Sequence, residues 1–142
     1  MVLIPYLFFD GTCGDAMRFY AEVFGGTLGP VQHWSDMPPD PDHPVADEHK
    51  NRVMHARLHA KNLTLMASDT RPGTECKSGN VSLSLNLDDA ARGEKLFAAL
   101  ASGGSIETPL ADMFWGAKFG QCIDKFGIDW MFNITVTPAA TT

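Results

Sequence analysis

Two stretches of this chain carry the same ordered signals about half a chain apart, and few folds can be built from such a pair. The first is an apolar run from Leu3 to Phe9, an acidic opening at Asp15-Ala16, an amphipathic stretch to Phe24, then Gly25-Gly26 and Thr27-Leu28. The second is Val81 to Leu87, Asp89-Ala90, a stretch through Phe97 to Leu100, then Gly103-Gly104 and Ser105-Ile106. The Asp-Ala pairs lie 74 residues apart and the Gly-Gly pairs 78, an offset that fits a twofold duplication and not a solenoid array. Each unit opens as strand, helix, glycine stop, strand. A glycine just past a helix accepts the left-handed conformation that other residues resist. Phe19, Val23 and Phe24 recur at helical spacing in the first unit, and Leu96, Phe97 and Leu100 in the second.

The remaining strands alternate. In Val53 to Ala60, Met54, Ala56, Leu58 and Ala60 form one side while His55, Arg57 and His59 form the other. Lys61-Asn62 reads as a two-residue hairpin turn into Leu63 to Asp69. Pairing Ala60 with Leu63 sets Thr64 opposite His59, Met66 opposite Arg57 and Ser68 opposite His55. Likewise Asn80, Ser82, Ser84 and Asn86 alternate with Val81, Leu83, Leu85 and Leu87. Strands with one apolar and one polar side predict an antiparallel-rich sheet with helices on one face, hence an α+β chain. Pro38-Pro39-Asp40-Pro41-Asp42-His43-Pro44 cannot hold a sheet interior, so residues 36–50 are expected to be a loop, either a solvated excursion or a lid over a pocket. One domain is expected over 1–142, with modules at 2–69 and 79–136 and a frayed tail at 137–142.

Composition removes several function classes. Residues of the AVILMFWYC set make up 44% and charged residues 20%, which argues against disorder and coiled coil. Eleven Lys plus Arg against 17 Asp plus Glu give a net charge of −6, without any run of basic residues, so no nucleic-acid partner is expected. The apolar opening from Val2 to Phe9 is interrupted by Pro5 and far shorter than a bilayer span; it predicts a buried first strand rather than a membrane or secretory segment. Cys13, Cys76 and Cys122 are odd in number and lack metal-knuckle spacing, which points to a reducing cytoplasm.

A run of local text adds a resemblance. Pro5-Tyr6-Leu7-Phe8-Phe9-Asp10-Gly11, the Phe19-Tyr20 to Phe24-Gly25-Gly26 helix, Met54-His55-Ala56, Met66-Ala67-Ser68-Asp69, Pro109-Leu110 and the stretch from Trp115 to Met131 resemble the PhnB-like branch of the vicinal oxygen chelate superfamily. That superfamily includes glyoxalase I, extradiol dioxygenases and bleomycin-resistance proteins. The resemblance covers residues 2–136. It implies two βαβββ modules forming curved, antiparallel-rich mixed sheets with helices on the convex side, and a homodimer. The superfamily's enzymes hold a divalent metal with one side chain from each of four strands. The matching positions here are Pro5, Asn80, Met66 and Met131, which offer no imidazole or carboxylate, so neither a metal nor another cofactor is expected.

Other residues could carry a site. His55 and His59 lie four apart on a strand, about 13 Å between α-carbons, too far to share one metal. His33, His43 and His49, beside Asp40, Asp42, Asp47 and Glu48, read as solvated charges before they read as a weak ion site. The polar faces instead suit a small anionic or carbonyl-bearing ligand held by His55, Arg57, His59, Met66, Ser68, Asn80, Ser82, Ser84, Trp115 and Met131, with Asn86 alongside. Trp130, alternating with Met131, is expected in the core, and Asp69 and Asp124 at caps or turns. Two functions stay open: a metal-independent binding or sequestering module, or a lyase or isomerase. The enzyme would use non-standard metal ligands, or be metal-free with His55 as base. The branch is often labelled a 3-demethylubiquinone methyltransferase, but no Gly-rich first loop of the dinucleotide or adenosylmethionine type is present.

Overall fold

The computed structural model describes residues 1–136, so the expected tail at 137–142 lies outside the described residues. The chain divides into two compact units, one spanning Met1–Lys77 and the other opening at Ser78.

In the first unit, β1 (Tyr6–Phe9), α1 (Cys13–Phe24), β2 (Thr27–Leu28), β3 (Gln32–His33), β4 (Val53–Ala60) and β5 (Leu63–Asp69) follow in order. Its sheet runs β1-β5-β4-β2, with β3 also on β4 and β1 parallel to β5. In the second unit, β6 (Leu83–Leu87), α2 (Ala90–Ala101), β7 (Ser105–Asp112), β8 (Ala117–Ile123) and β9 (Asp129–Thr135) form a sheet of order β6-β9-β8-β7, again with first and last strands parallel. The duplicated text thus yields one topology twice, and each helix crosses from the first strand to the opposite edge. Lys61-Asn62 makes the tight turn, Asn62 taking φ 59°, and fixes Ala60 on Leu63, His59 on Thr64 and Arg57 on Met66 as the alternation requires.

One face of each sheet is sealed by its helix. Against α1 lie Leu7, Phe9, Ala56, Leu58, Leu65 and Ala67, all buried, and in the second unit Trp130, Phe132 and Ile134 are buried with Leu96, Phe97 and Leu100 of α2. Each buried Leu, Ile or Phe among them contributes about 1.5–3 kcal/mol relative to exposure. The inward stripe of α1 is Cys13, Ala16, Met17, Tyr20 and Phe24, not the Phe19–Val23–Phe24 set that spacing suggests. Phe19 and Val23 border that stripe and are half-buried. The helix begins earlier than its acidic signal because the Asp69 carboxylate accepts the Cys13 N–H at 3.0 Å. The Asp-Ala pairs are consequently not equivalent: Asp15 lies inside the first turn of α1, whereas Asp89 precedes α2 and caps it by accepting the Arg92 N–H at 3.1 Å.

Two strand boundaries differ from expectation. Only Tyr6–Phe9 of the apolar opening is strand, and Val2 and Leu3 are exposed; the ladder starts where the Met66 N–H bonds the carbonyl of Pro5, which has no N–H to carry the pairing further back. In the second unit the strand begins at Leu83, because β9 pairs with it only from Trp130 onward. Asn80 and Ser82 therefore lie outside it. A short 3₁₀ turn, Trp34–Asp36, leads into the Pro/Asp loop, and a second, Asp47–His49, lies within it.

Cys13 and Cys122 have no exposed surface, and burial pushes their thiols up to about 12 and about 11, whereas Cys76 is exposed. A disulfide-exchange reagent such as Ellman's is therefore expected to titrate one thiol rapidly in the native protein and three in guanidinium. The raised thiols also fix a sign. The unfolded chain loses these protons near 9.0 and the folded one does not, so stability should fall as pH rises from there toward about 12.

Candidate functional site

The face of the first sheet opposite α1 gathers most of the chemistry in that unit. Alternation along β4 puts His55, Arg57 and His59 there, and the register adds Thr64, Met66 and Ser68 from β5. Because β1 pairs in parallel with β5, Tyr6 joins Met66 and Phe8 joins Ser68 on the same side. Tyr6 and Phe8, on the edge strand β1, are 40% and 57% exposed. Their centroids stand 5.0 Å apart.

Two polar pairs organise the face. Tyr6 Oη lies 3.3 Å from His55 Nδ1, with the rings 5.9 Å apart. Arg57 Nε donates to His59 Nε2 at 2.9 Å, so that nitrogen carries no proton. The ring's proton therefore sits on Nδ1, 3.4 Å from Thr64 Oγ1, and His59 is neutral while it holds the arginine. His55 and His59 are thus engaged with different partners at opposite ends of the strand and do not converge. Ser68 is on this face but 7% exposed, which leaves it little reach.

The corresponding face of the second sheet is amide-rich and carries the Asp129 carboxylate at one end. Ser84, Met131 and Gln121 form one line across β6, β9 and β8, and Asn86, Asn133 and Phe119 form the next. Asn86 donates to Ser84 Oγ at 3.3 Å, and Gln121 Nε2 lies 3.1 Å from Asp129 Oδ1. Trp115 sits in the β7–β8 turn, 53% exposed and edge-on to Phe114, which is 97% exposed. Asn80 is exposed and Ser82 half-buried in the segment before β6. The ten residues marked in the sequence therefore separate: His55, Arg57, His59, Met66 and Ser68 share the first face, Ser84 and Met131 the second, and Asn80, Ser82 and Trp115 lie on neither sheet.

Sequence reasoning passed over Tyr6, Phe8, Gln121 and Asn133. The first two hide in a run that is apolar on both sides, so alternation carries no information there; only the parallel pairing with Met66 and Ser68 reveals their side.

The residues do not fit a metal of the kind the resemblance implies. Pro5 uses its carbonyl in the sheet, Asn80 lies outside a strand, and Met66 and Met131 present thioethers. Among the described residues no three His, Cys, Asp or Glu side chains converge. The loop histidines pair singly, His43 with Asp40 at 3.0 Å and His49 with Glu48 at 3.3 Å. Asp69 and Asp124 are structural: Asp69 also accepts the Val53 N–H at 2.8 Å, and Asp124 holds the β8–β9 turn. Trp130 is fully buried, as its parity with Met131 requires.

Comparison with known proteins agrees with this architecture. Residues 2–133 match the family model described as 3-demethylubiquinone-9 3-methyltransferase. Protein YjdN of Escherichia coli K12 is 30% identical over 144 residues, covering 94% of this chain and 95% of that protein. The crystal structure of protein PA1353 from Pseudomonas aeruginosa is 40% identical with a TM-score of 0.85, covering 96% of this chain and 99% of the other. A bleomycin-binding protein solved with bleomycin is similar in fold, at 16% identity and a TM-score of 0.57, over 95% of this chain and 98% of the other. No helix among the described residues is long and apolar enough to cross a membrane.

Proposed function

We propose that this chain, which belongs to the PhnB-like family described as 3-demethylubiquinone-9 3-methyltransferase, binds a small molecule on the open face of its first sheet without help from a metal ion. The observation that carries the reading is the exposure of Tyr6 and Phe8 beside Arg57 and two histidines, on a sheet whose other face is closed by a helix. Aromatic surface beside a few oriented polar groups is the usual make-up of a ligand site. The bleomycin-binding protein of similar fold supports a sequestering role, since its name records that it holds a small molecule. Methyl transfer is not part of the reading: neither sheet has the all-parallel order of dinucleotide-type folds. The proposal includes a homodimer in the cytoplasm, with the Phe114–Trp115 ring pair as apolar surface of the kind self-association covers.

A second reading, in which His55 acts as a base on the bound molecule, draws on the hydroxyl of Tyr6 at 3.3 Å from its ring. It requires a turnover that His55→Ala removes while affinity stays.

The test is a fragment screen of the untagged protein by NMR, with aromatic acids, amides and amines as probes, alongside native mass spectrometry. Amide shifts clustered at Tyr6, Phe8, His55, Arg57 and Met66 are expected, in a metal-free dimer. Shifts confined to other surfaces, or no binder at all, would refute the binding site. One stoichiometric divalent ion per chain would refute metal independence.

A further inference from the structure

We propose that the ligand of the first sheet is a flat aromatic carboxylate, held by Arg57 at its anionic end and by Tyr6 at its ring; this rests on the binding reading above and names the ligand's class. Tyr6 pairs with Met66, and Met66 with Arg57, so the three form one line across β1, β5 and β4. Adjacent strands are about 4.8 Å apart, which puts the α-carbons of Tyr6 and Arg57 about 10 Å from one another. An aromatic ring bearing a carboxyl group spans that interval, with the carboxylate at the arginine, the ring over the Met66 thioether and its far edge against Tyr6.

Charge decides the polarity of the ligand. The chain is acidic overall, with 17 carboxylate side chains against 11 basic ones, yet the fixed charge among the strand residues of this face is the Arg57 cation, beside two histidines. Among the five strands of the unit the one Asp or Glu is Asp69, and it is buried and bonded to the backbone of Cys13 and Val53 on the side of α1. The strand residues of this face therefore carry one cation and no carboxylate, against the sign of the chain as a whole.

The arginine is also oriented. His59 Nε2 takes the Nε proton, and the two terminal nitrogens have no protein partner among the described residues. A guanidinium so held presents a pair of N–H groups that matches a carboxylate in bidentate fashion. His59 is thus a positioning residue, and Phe8, 5.0 Å from Tyr6 between ring centroids, widens the apolar wall.

The experiment titrates 2-naphthoate and the isosteric neutral 2-naphthamide into the full-length protein, followed by NMR, with Arg57→Gln and Tyr6→Leu variants whose own spectra report folding. The acid is expected to bind about tenfold or more tightly than the amide, the size of a charge-assisted hydrogen-bonded pair. Arg57→Gln should bring the two within about twofold, and Tyr6→Leu should weaken both alike. Equal affinity of acid and amide, with shifts still at Tyr6, Met66 and Arg57, overturns the anion class and leaves the binding reading standing. If neither compound nor any fragment of the wider screen moves those residues, both readings fall. Displacement of naphthoate by an equal concentration of inorganic phosphate would make phosphate the recognised group and overturn the carboxylate assignment.

Discussion

The Asp124→Ala protein is expected to unfold at a much lower urea concentration than the parent, a loss of about 3–4 kcal/mol. Asp124 is 2% exposed and directly follows β8, and its two oxygens accept from the donors of Phe126, Ile128 and Trp130. Oδ1 accepts the N–H of Phe126 at 2.8 Å and of Ile128 at 3.1 Å, which shapes the β8–β9 turn around Gly127. Oδ2 accepts the indole N–H of Trp130 at 2.8 Å, and Trp130 has no exposed surface. Removing the carboxylate takes away the acceptor of a buried indole N–H, at about 1–3 kcal/mol, and the acceptor of two turn amides. Asn at this position separates the contributions. Its single carbonyl oxygen can keep the turn amides, while its NH₂ faces the indole N–H, donor against donor. Asp124→Asn should therefore cost less than Ala but disturb the indole environment more, read as near-ultraviolet circular dichroism and the Trp side-chain NMR signal. An Asp124→Ala loss below about 1 kcal/mol would show that water replaces the carboxylate and that the turn holds itself.

How far the sequence reaches depends on which force fixes each residue. The hairpin at Lys61-Asn62 was legible down to its register, because a two-residue turn and a period-2 pattern leave one pairing that keeps Met54, Ala56 and Leu58 on a common side. Trp130 was legible for the same reason. The start of β6 was not, since Asn80, Val81 and Ser82 continue the alternation perfectly and only the missing partner on β9 ends the strand. The candidate site divides along the same line. His55, Arg57 and His59 follow from alternation alone, whereas Tyr6 and Phe8 need a long-range parallel pairing that no local pattern announces. Asp69 is an intermediate case. It was recognisable as a cap from its place at a strand end, but its partners, Cys13 and Val53, are 56 and 16 residues away.

The glycine pairs were legible in only half of what they do, and the other half predicts large single-methyl effects. In each unit the first glycine, Gly25 or Gly103, takes a positive φ, 64° and 79°, where a side chain costs about 1–2 kcal/mol but meets nothing closer than 3.4 Å. The second glycine takes no such angle, and its role is close approach. A Cβ on Gly26 would stand 2.7 Å from the carbonyl oxygen of His59 in β4 and 3.0 Å from the Ala60 Cβ. A Cβ on Gly104 would overlap the carbonyl oxygen of Ile123 in β8 and come within 2.8 Å of the Asp124 carbonyl carbon. The nearest neighbour in each case is a carbonyl oxygen of a paired strand, which cannot rotate aside as a side chain does. Gly26→Ala and Gly104→Ala are therefore expected to cost about 3 kcal/mol or more each in urea unfolding, and Gly25→Ala and Gly103→Ala about half that. Gly104→Ala should be the worse of the close-approach pair, because the overlap there is deeper and falls where Ser105 begins its pairing with Ile123. If all four substitutions cost the same, the glycines serve only as helix stops, and the duplication preserves a conformation. The expected inequality would mean that it preserves a contact, the helix exit pressed onto the strand that carries His55, Arg57 and His59 in the first unit and Phe119 and Gln121 in the second.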